Sequence, residues 1–476
     1  MKLRVGSIVL FVLLLANFAI SQTQQWPVVN ADGGRSSWAS LENELHPPLQ
    51  RGESYSLKRS GGDAEVLTAY NDLLCVSTSG TPNTIEAFDM QTGDTLWTFQ
   101  VPESVGGCDC AAAQNDSLVF LGGQHGLGLY VLYRHTGQQK WFRPCGSMYT
   151  RHVMLDEQRA YFVADSLLCV DISDGSTVWA QAFSRQVTPA LDESTVYVCG
   201  NDQALAFNKL TGDIIWQQYN EGQNFTAFAV DDLHFYTNPH DSVVARDKAN
   251  GEIEWAYRIP DGQLSRLSQN AMAVSDSVLC FVCWQNAAGL GMIYGVDKLT
   301  GNEIWNHTFS SGGVFAPAIA NGVVYVTAGE YEELYGFDVR TGEMIFHNND
   351  RAYITQPIVY NHKLYVCSEN KVIVFKNVDS EVAAEVLRPT NFTLAQNYPN
   401  PFNPTTTIGY DVKVQGRVVL KVYDLNGREI ITLMDEEKQP GYYNVLFDGT
   451  NLSSGVYIYK IFSNNRLLSN KLVLLK

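Results

Sequence analysis

Basic charge is scarce in this 476-residue chain: 33 Lys and Arg stand against 50 Asp and Glu, a formal net charge of −17. That balance argues against nucleic acid or an anionic lipid surface as a partner, since both call for clustered cations. No basic patch interleaved with aromatics offsets it. Long apolar runs are scarce too. The stretch Ile8 to Leu15 is too short for a comfortable membrane span, and no later segment has the length and apolarity of a transmembrane helix. Catalytic signatures are missing: there is no GxSxG elbow, HExxH pair, Walker A loop or EF-hand loop. His125, His135, His152, His234, His240 and His362 are scattered without ligand spacing.

What is present is a phrase repeated seven times. Its copies end at Trp97, Trp141, Trp179, Trp216, Trp255, Trp305 and Phe346, each with a glycine four residues earlier: Gly93, Gly137, Gly175, Gly212, Gly251, Gly301 and Gly342. A period near forty residues with strand-like content indicates a β-propeller or a related array. Before each glycine, apolar and polar residues alternate, as in Ile85-Glu86-Ala87-Phe88-Asp89, the period of a half-buried strand. The Thr-Gly or Asn-Gly pair supplies a hairpin turn that needs positive φ. Each unit reads as a four-stranded meander, A to D from inside to outside. The tryptophan sits on outer strand D, where its ring packs between neighbouring sheets. Asp89, Asp171, Asp247, Asp297 and Asp338 recur just before the turn, which assigns them to turn hydrogen bonding.

After Phe346 a partial unit runs to Asn377 with strands A, B and C but no glycine–aromatic strand D. The segment Ser54 to Ser60 near the N-terminus is the expected missing strand, closing the ring and removing exposed edges. The architecture expected is therefore all-β: an eight-bladed β-propeller closed by both termini, followed by a small Ig-like β-sandwich.

The D-x-x-T-G-x-x-x-W phrase resembles the repeat of PQQ-like, or quinoprotein alcohol dehydrogenase-like, β-propellers, and Trp26 to Trp38 resembles that family's opening segment. The resemblance covers roughly residues 26 to 378. It implies fold more than function, because the family includes dehydrogenases, outer-membrane assembly factors and binding proteins.

Both ends read as addresses. Lys2 and Arg4, the apolar core and Ala19-Ile20-Ser21 form a signal peptide over 1–21; no cysteine follows the cleavage site, so no lipoprotein anchor is expected. The propeller is assigned to 22–378, a linker to 379–390, and a second unit to 391–476, whose short alternating strands and Pro and Asn-Gly turns read as a β-sandwich. That unit resembles the type A C-terminal sorting domain of the type IX secretion system. The matching residues include Asn397, Pro399, Asn400, Pro401, Gly455, Tyr457 and the terminal Lys476. The resemblance implies passage through the periplasm and across the outer membrane, with the protein then released or held at the cell surface.

Of nine cysteines, Cys75, Cys169, Cys199, Cys280, Cys283 and Cys367 lie in apolar strand runs, where cysteine acts as a small hydrophobe. Cys280 and Cys283 have CxxC spacing, but on a strand they face opposite ways. Cys108 and Cys110 open strand A of the second unit and share a face, which suits a strained disulfide or a reactive pair. Quinone-dependent members of the resembled family carry two adjacent cysteines near this point; here Asp109 intervenes. No catalytic, cofactor or metal residue maps onto this chain, and no cofactor is expected.

The function expected is a secreted or surface-displayed scaffold that presents its blade loops to a surface protein or glycan, and is delivered by the type IX machinery through its C-terminal domain. The alternative is an oxidoreductase that holds PQQ with calcium, or another small ligand, in the central channel. An outer-membrane assembly factor is a third reading, against which the export domain counts.

Overall fold

The computed structural model describes residues 38–39, 42, 44–58, 64–78, 84–102, 112–122, 128–145, 152–183, 187–200, 203–219, 225–239, 242–260, 271–285, 290–309, 313–350, 353–368, 370–378, 392–394, 397, 400–412, 414–438, 441–464 and 466–476. The expected signal peptide, the linker, Cys108, Cys110 and Pro399 lie outside them.

Among the described residues there is no helix. Sheet 1 is the antiparallel meander Ala64–Tyr70, Leu73–Thr78, Thr84–Asp89 and Thr95–Gln100. The same order recurs over 113–143, 154–181, 190–219, 225–258, 272–308 and 318–348, sheets 2 to 7. First strands of adjoining sheets neighbour one another from sheet 1 to 3 and from sheet 4 to 8, and Ala64–Tyr70 meets Ile358–Tyr360 of the last sheet, so the array returns on itself in a propeller-like ring. Second strands are buried along nearly their whole length because a sheet covers each face: Leu73–Thr78 is buried at all six positions. Outer strands are covered on one face, and Thr95–Gln100 alternates, with Trp97 its buried residue.

The turn between third and fourth strands follows from its sequence. In sheet 1, Asp89 Oδ1 accepts the N–H of Gln91 at 2.8 Å and of Thr92 at 2.9 Å. Gly93, at φ +76°, donates to Asp89 O at 2.8 Å. Asp171, Asp247, Asp297 and Asp338 accept the same turn N–H bonds, and Asn208 does so in sheet 4. The expected turn role of these residues is what the structure shows.

The N-terminal segment supplies two strands. β1 (Trp38–Ala39) pairs in parallel with Ala318–Ala320, on the side of that innermost strand facing the ring axis. β2 (Leu49–Ser56) pairs antiparallel with Lys371–Asn377, so sheet 8 reads β2, Lys371–Asn377, Lys363–Ser368, Ile358–Tyr360 from rim to axis. The strand expected at 54–60 thus starts earlier, at Leu49, directly after Pro47-Pro48, with a register shift between Arg51 and Ser54.

The longest interval between repeat aromatics, Trp255 to Trp305, and the glycine-rich stretch from Gly122 to Gly128 each include paired strands. Val278–Gln285 and Leu290–Asp297 pair along their whole length, so extended strands take up part of the long interval before Trp305. Gly122 pairs with Leu129 at the end of the hairpin that carries the glycine-rich segment; 123–127 lie outside the described residues. The seven described cysteines are buried thiols, Cys280 and Cys283 included. Burial pushes the Cys75 and Cys283 thiols up to about 12.

Residues 392–476 form two further sheets. One is Thr393–Leu394, Thr405–Val412 and Gly441–Asp448; the other is Glu429–Lys438, Gly416–Tyr423, Gly455–Ser463 and Arg466–Leu474. Ile408, Val418, Leu420, Val422, Tyr459, Ile461 and Leu472 fill the core they share.

Candidate functional site

Three sets of residues carry the specific geometry of this chain, and the repeat builds the first. Each tryptophan reaches across to the next sheet. Trp97 Nε1 donates to Arg134 O at 2.7 Å, Trp179 to Lys209 O at 3.0 Å, Trp216 to Lys248 O at 2.7 Å, Trp255 to Lys298 O at 3.0 Å and Trp305 to Val339 O at 2.9 Å. The acceptor is always three residues before the next repeat glycine. That glycine is the floor under the ring: a Cβ on Gly301 would lie 2.5 Å from the Trp255 ring. Tyr55 of β2 takes the same place against sheet 1, its hydroxyl donating to Met90 O at 3.0 Å and its ring lying over Gly93.

The second set was not foreseen. Between sheets 3 and 6 a lysine, an aspartate and a tyrosine recur at each seam. Lys209 lies 3.3 Å from Asp156, Lys248 2.9 Å from Asp192 and Lys298 3.0 Å from Asp231. Tyr161, Tyr197 and Tyr236 donate their hydroxyls to the same three carboxylates at 2.7, 2.9 and 3.0 Å. Burial pushes these carboxyls up, but backbone N–H donors and the lysines outweigh it and hold all three below the usual range. At the sheet 1–2 seam Arg134 replaces the lysine and donates to Tyr70 O and to Asn71 O. Arg246 is 2% exposed and donates from Nη1 to Gly251 O at 2.8 Å, but its Nε and Nη2 find no partner among the described residues. The signal was in the sequence: an aspartate five residues before a tyrosine, and a lysine three before the glycine, each in three copies.

The third set is the expected sorting motif, and its described members are tied into the sandwich. Asn397 is buried; its N–H donates to Tyr459 Oη at 2.7 Å and its Nδ2 to Thr406 Oγ1 at 2.9 Å. Asn400 bridges to the last strand, donating to Lys471 O at 3.2 Å and accepting from Val473 N at 2.7 Å. Pro401 precedes Phe402, whose buried ring lies against Gly449. Tyr457, two residues into the strand opened by Gly455, donates to Ser453 O at 2.8 Å. Lys476 donates from Nζ to Thr450 O at 2.5 Å. The motif thus joins the start of the unit to its final strand.

Among the described residues no three His, Cys, Asp or Glu side chains gather as a metal site would need, and no helix is long and apolar enough to cross a membrane.

Comparison with known proteins agrees with this picture. Residues 163–290 and 289–384 match the family described as outer membrane protein assembly factor BamB, and 396–475 match the secretion system C-terminal sorting domain. The tetrathionate hydrolase of Acidithiobacillus ferrooxidans is 23% identical over 201 residues, covering 38% of this chain and 40% of that protein. BamB from Moraxella catarrhalis superposes with a TM-score of 0.56 at 18% identity, over 69% of this chain and 97% of that one. The quinohaemoprotein alcohol dehydrogenase from Comamonas testosteroni gives a TM-score of 0.61 at 14% identity, over 79% and 83%. At these identities the structural likeness concerns the fold.

Proposed function

Since this chain carries PQQ-like β-propeller repeats and ends in a secretion-system C-terminal sorting domain, we propose that it is an exported, non-catalytic binding scaffold. We read the ring as eight blades, with sheet 8 assembled from both termini, the signal peptide as 1–21, the propeller as 22–378 and the module at 391–476 as Ig-like. The propeller is displayed outside the cell and engages a surface protein or glycan. The type IX machinery takes the C-terminal module as its cargo tag.

One observation carries the reading. The recurrent tryptophans, glycines and lysines hold sheet to sheet and the turn aspartates hold their own turns, so the residues that the repeat supplies serve the scaffold. In an antiparallel meander the first-to-second and third-to-fourth turns share one end of the ring, and these self-bonded turns occupy it. The segments left for recognition are the connections at the other end.

Crosslinking and capture of the mature protein from its own cells, followed by mass spectrometry, tests this. A reproducible surface protein or glycan partner, lost on substitution within 79–83 or 123–127 at unchanged melting temperature, is the expected result. A partner-free protein that instead gains thermal stability from PQQ with calcium would replace the scaffold with a quinone-dependent oxidoreductase.

A further inference from the structure

The described residues 38–39, 42 and 44–57 run from axis to rim. β1 lies on the axis side of sheet 7, and Ala39, fully buried, is the register partner of Ala320. Ala320 directly precedes the Asn321-Gly322 turn, so β1 heads for the turn-bearing end of the ring. There Glu42, its side chain 1% exposed, accepts the N–H of Glu44 at 2.7 Å, of Leu45 at 2.8 Å and of His362 at 3.1 Å. His362 Nδ1 lies 3.0 Å from the same carboxylate, and its Nε2 3.7 Å from Glu44. Leu45, fully buried, joins one core with Leu67 and Ala69 of sheet 1, Ala318 of sheet 7 and Ile358 of sheet 8. The chain then turns outward through Pro47-Pro48 into β2.

A buried carboxylate is costly unless its lone pairs are filled. Glu42 has three backbone donors and an imidazole gathered on it. Burial pushes its carboxyl up, but the bonds from His362, Leu45 and Glu44 outweigh that and hold it below the usual range. Tyr325, whose buried hydroxyl finds no partner among the described residues, also feels its charge. Without the carboxylate, three N–H groups lose their acceptor, two on the segment and one on sheet 8.

We propose that residues 38–39, 42 and 44–57 form a strap that shuts the turn-bearing end of the central channel, with the Glu42 carboxylate as its catch. Whatever binds at the axis then enters from the opposite end; that consequence rests on the scaffold reading, whereas the strap itself does not.

The test uses the full mature chain carrying Ala39→Cys, labelled with a pyridyl disulfide, with the parent protein as blank for native thiols. Peptide mass spectrometry reads Cys367, fully buried in sheet 8, as the reporter of global opening. Cysteine at 39 should be protected. Glu42→Ala should raise its labelling at least tenfold while Cys367 stays protected, and Glu42→Gln, which keeps one acceptor oxygen, should fall between. Rapid labelling without any change at Glu42, no response to Glu42→Ala, or acceleration of both reporters together would each overturn the strap. Should Ala39→Cys not fold, amide exchange at Ala39 and Ala320 in the Glu42→Gln protein gives the same reading: selective loss of protection supports the strap, and unchanged protection removes it. Partner capture is scored separately, so the strap and the scaffold can fail independently.

Discussion

The seams between sheets 1 and 7 and the two seams that border sheet 8 solve one packing problem with different residues. At the former, a tryptophan lays its ring on a glycine and donates to a carbonyl three residues earlier. At the sheet 7–8 seam the aromatic is Phe346, which has nothing to donate. Sheet 8 explains this: its outer strand comes from the other end of the chain, so the third-to-fourth turn that carries the glycine and carbonyl does not exist there. At the sheet 8–1 seam that turn is present again, with Gly93 and Met90 O, and the donor returns as the Tyr55 hydroxyl. The polar handle is kept where an acceptor waits and dropped where none does, as the cost of an unmade buried hydrogen bond would require.

The comparison can be broken in several ways. Deleting 49–57 removes the rim strand and Tyr55 together. The expected outcome is loss of a cooperative thermal transition at 37 °C by circular dichroism, and a melting temperature unchanged by the deletion would rule out closure by β2. Gly301→Val drives a side chain into the Trp255 ring at φ +70° and should cost roughly 3 kcal/mol or more in denaturant melts. Gly322→Ala, at φ +74° with nothing within 4 Å, should cost about 1 kcal/mol by the same measurement, which separates packing from backbone strain. Trp216→Phe leaves Lys248 O without its donor and should cost about 1–3 kcal/mol. Phe346→Trp at the seam without an acceptor should give no gain, and a gain there would undo the argument. Tyr55→Phe, losing one neutral hydrogen bond, should cost about 1 kcal/mol.

The smallest effect is spread over a titration. Asp156, Asp192 and Asp231 have carboxyls held below the ordinary aspartate range in the fold. Their contribution is therefore fully present above pH about 4 and lost as pH falls through the lower folded values. Asp231→Asn should flatten the acid limb of stability against pH; an unchanged limb would show that the lysine seams contribute nothing there.

The repeat made sheet order, turn chemistry and the tryptophan seams legible because each recurs at a fixed offset. Closure by a segment before sheet 1 was legible from the missing fourth strand, though its start at Leu49 was not, since Leu49, Tyr55 and Leu57 alternate too loosely to mark an edge. β1 could not be read: two residues in parallel with a strand 281 positions away leave no periodic trace. The lysine ladder was written in offsets that acquire meaning once neighbouring sheets are placed side by side. For the sorting motif, the sequence pointed to Asn397, Asn400 and Tyr457 as a signal, and the structure gives those residues bonds within the module itself.

The closing strand carries a consequence in time. Gln50 and Asn377 meet across 327 residues of chain, whereas strands within a sheet meet across a dozen. Loop-closure entropy adds about 0.6 kcal/mol for each doubling of length, so this pairing starts roughly 3 kcal/mol behind its neighbours, and long-range pairing is slow. A chain emerging N-terminus first would hold β2 unpaired until its last propeller sheet arrives. Until β2 then pairs, the sheet that carries Cys367 lacks its rim strand. Ring closure is then the late event of folding, set by the return of one end of the chain to the other.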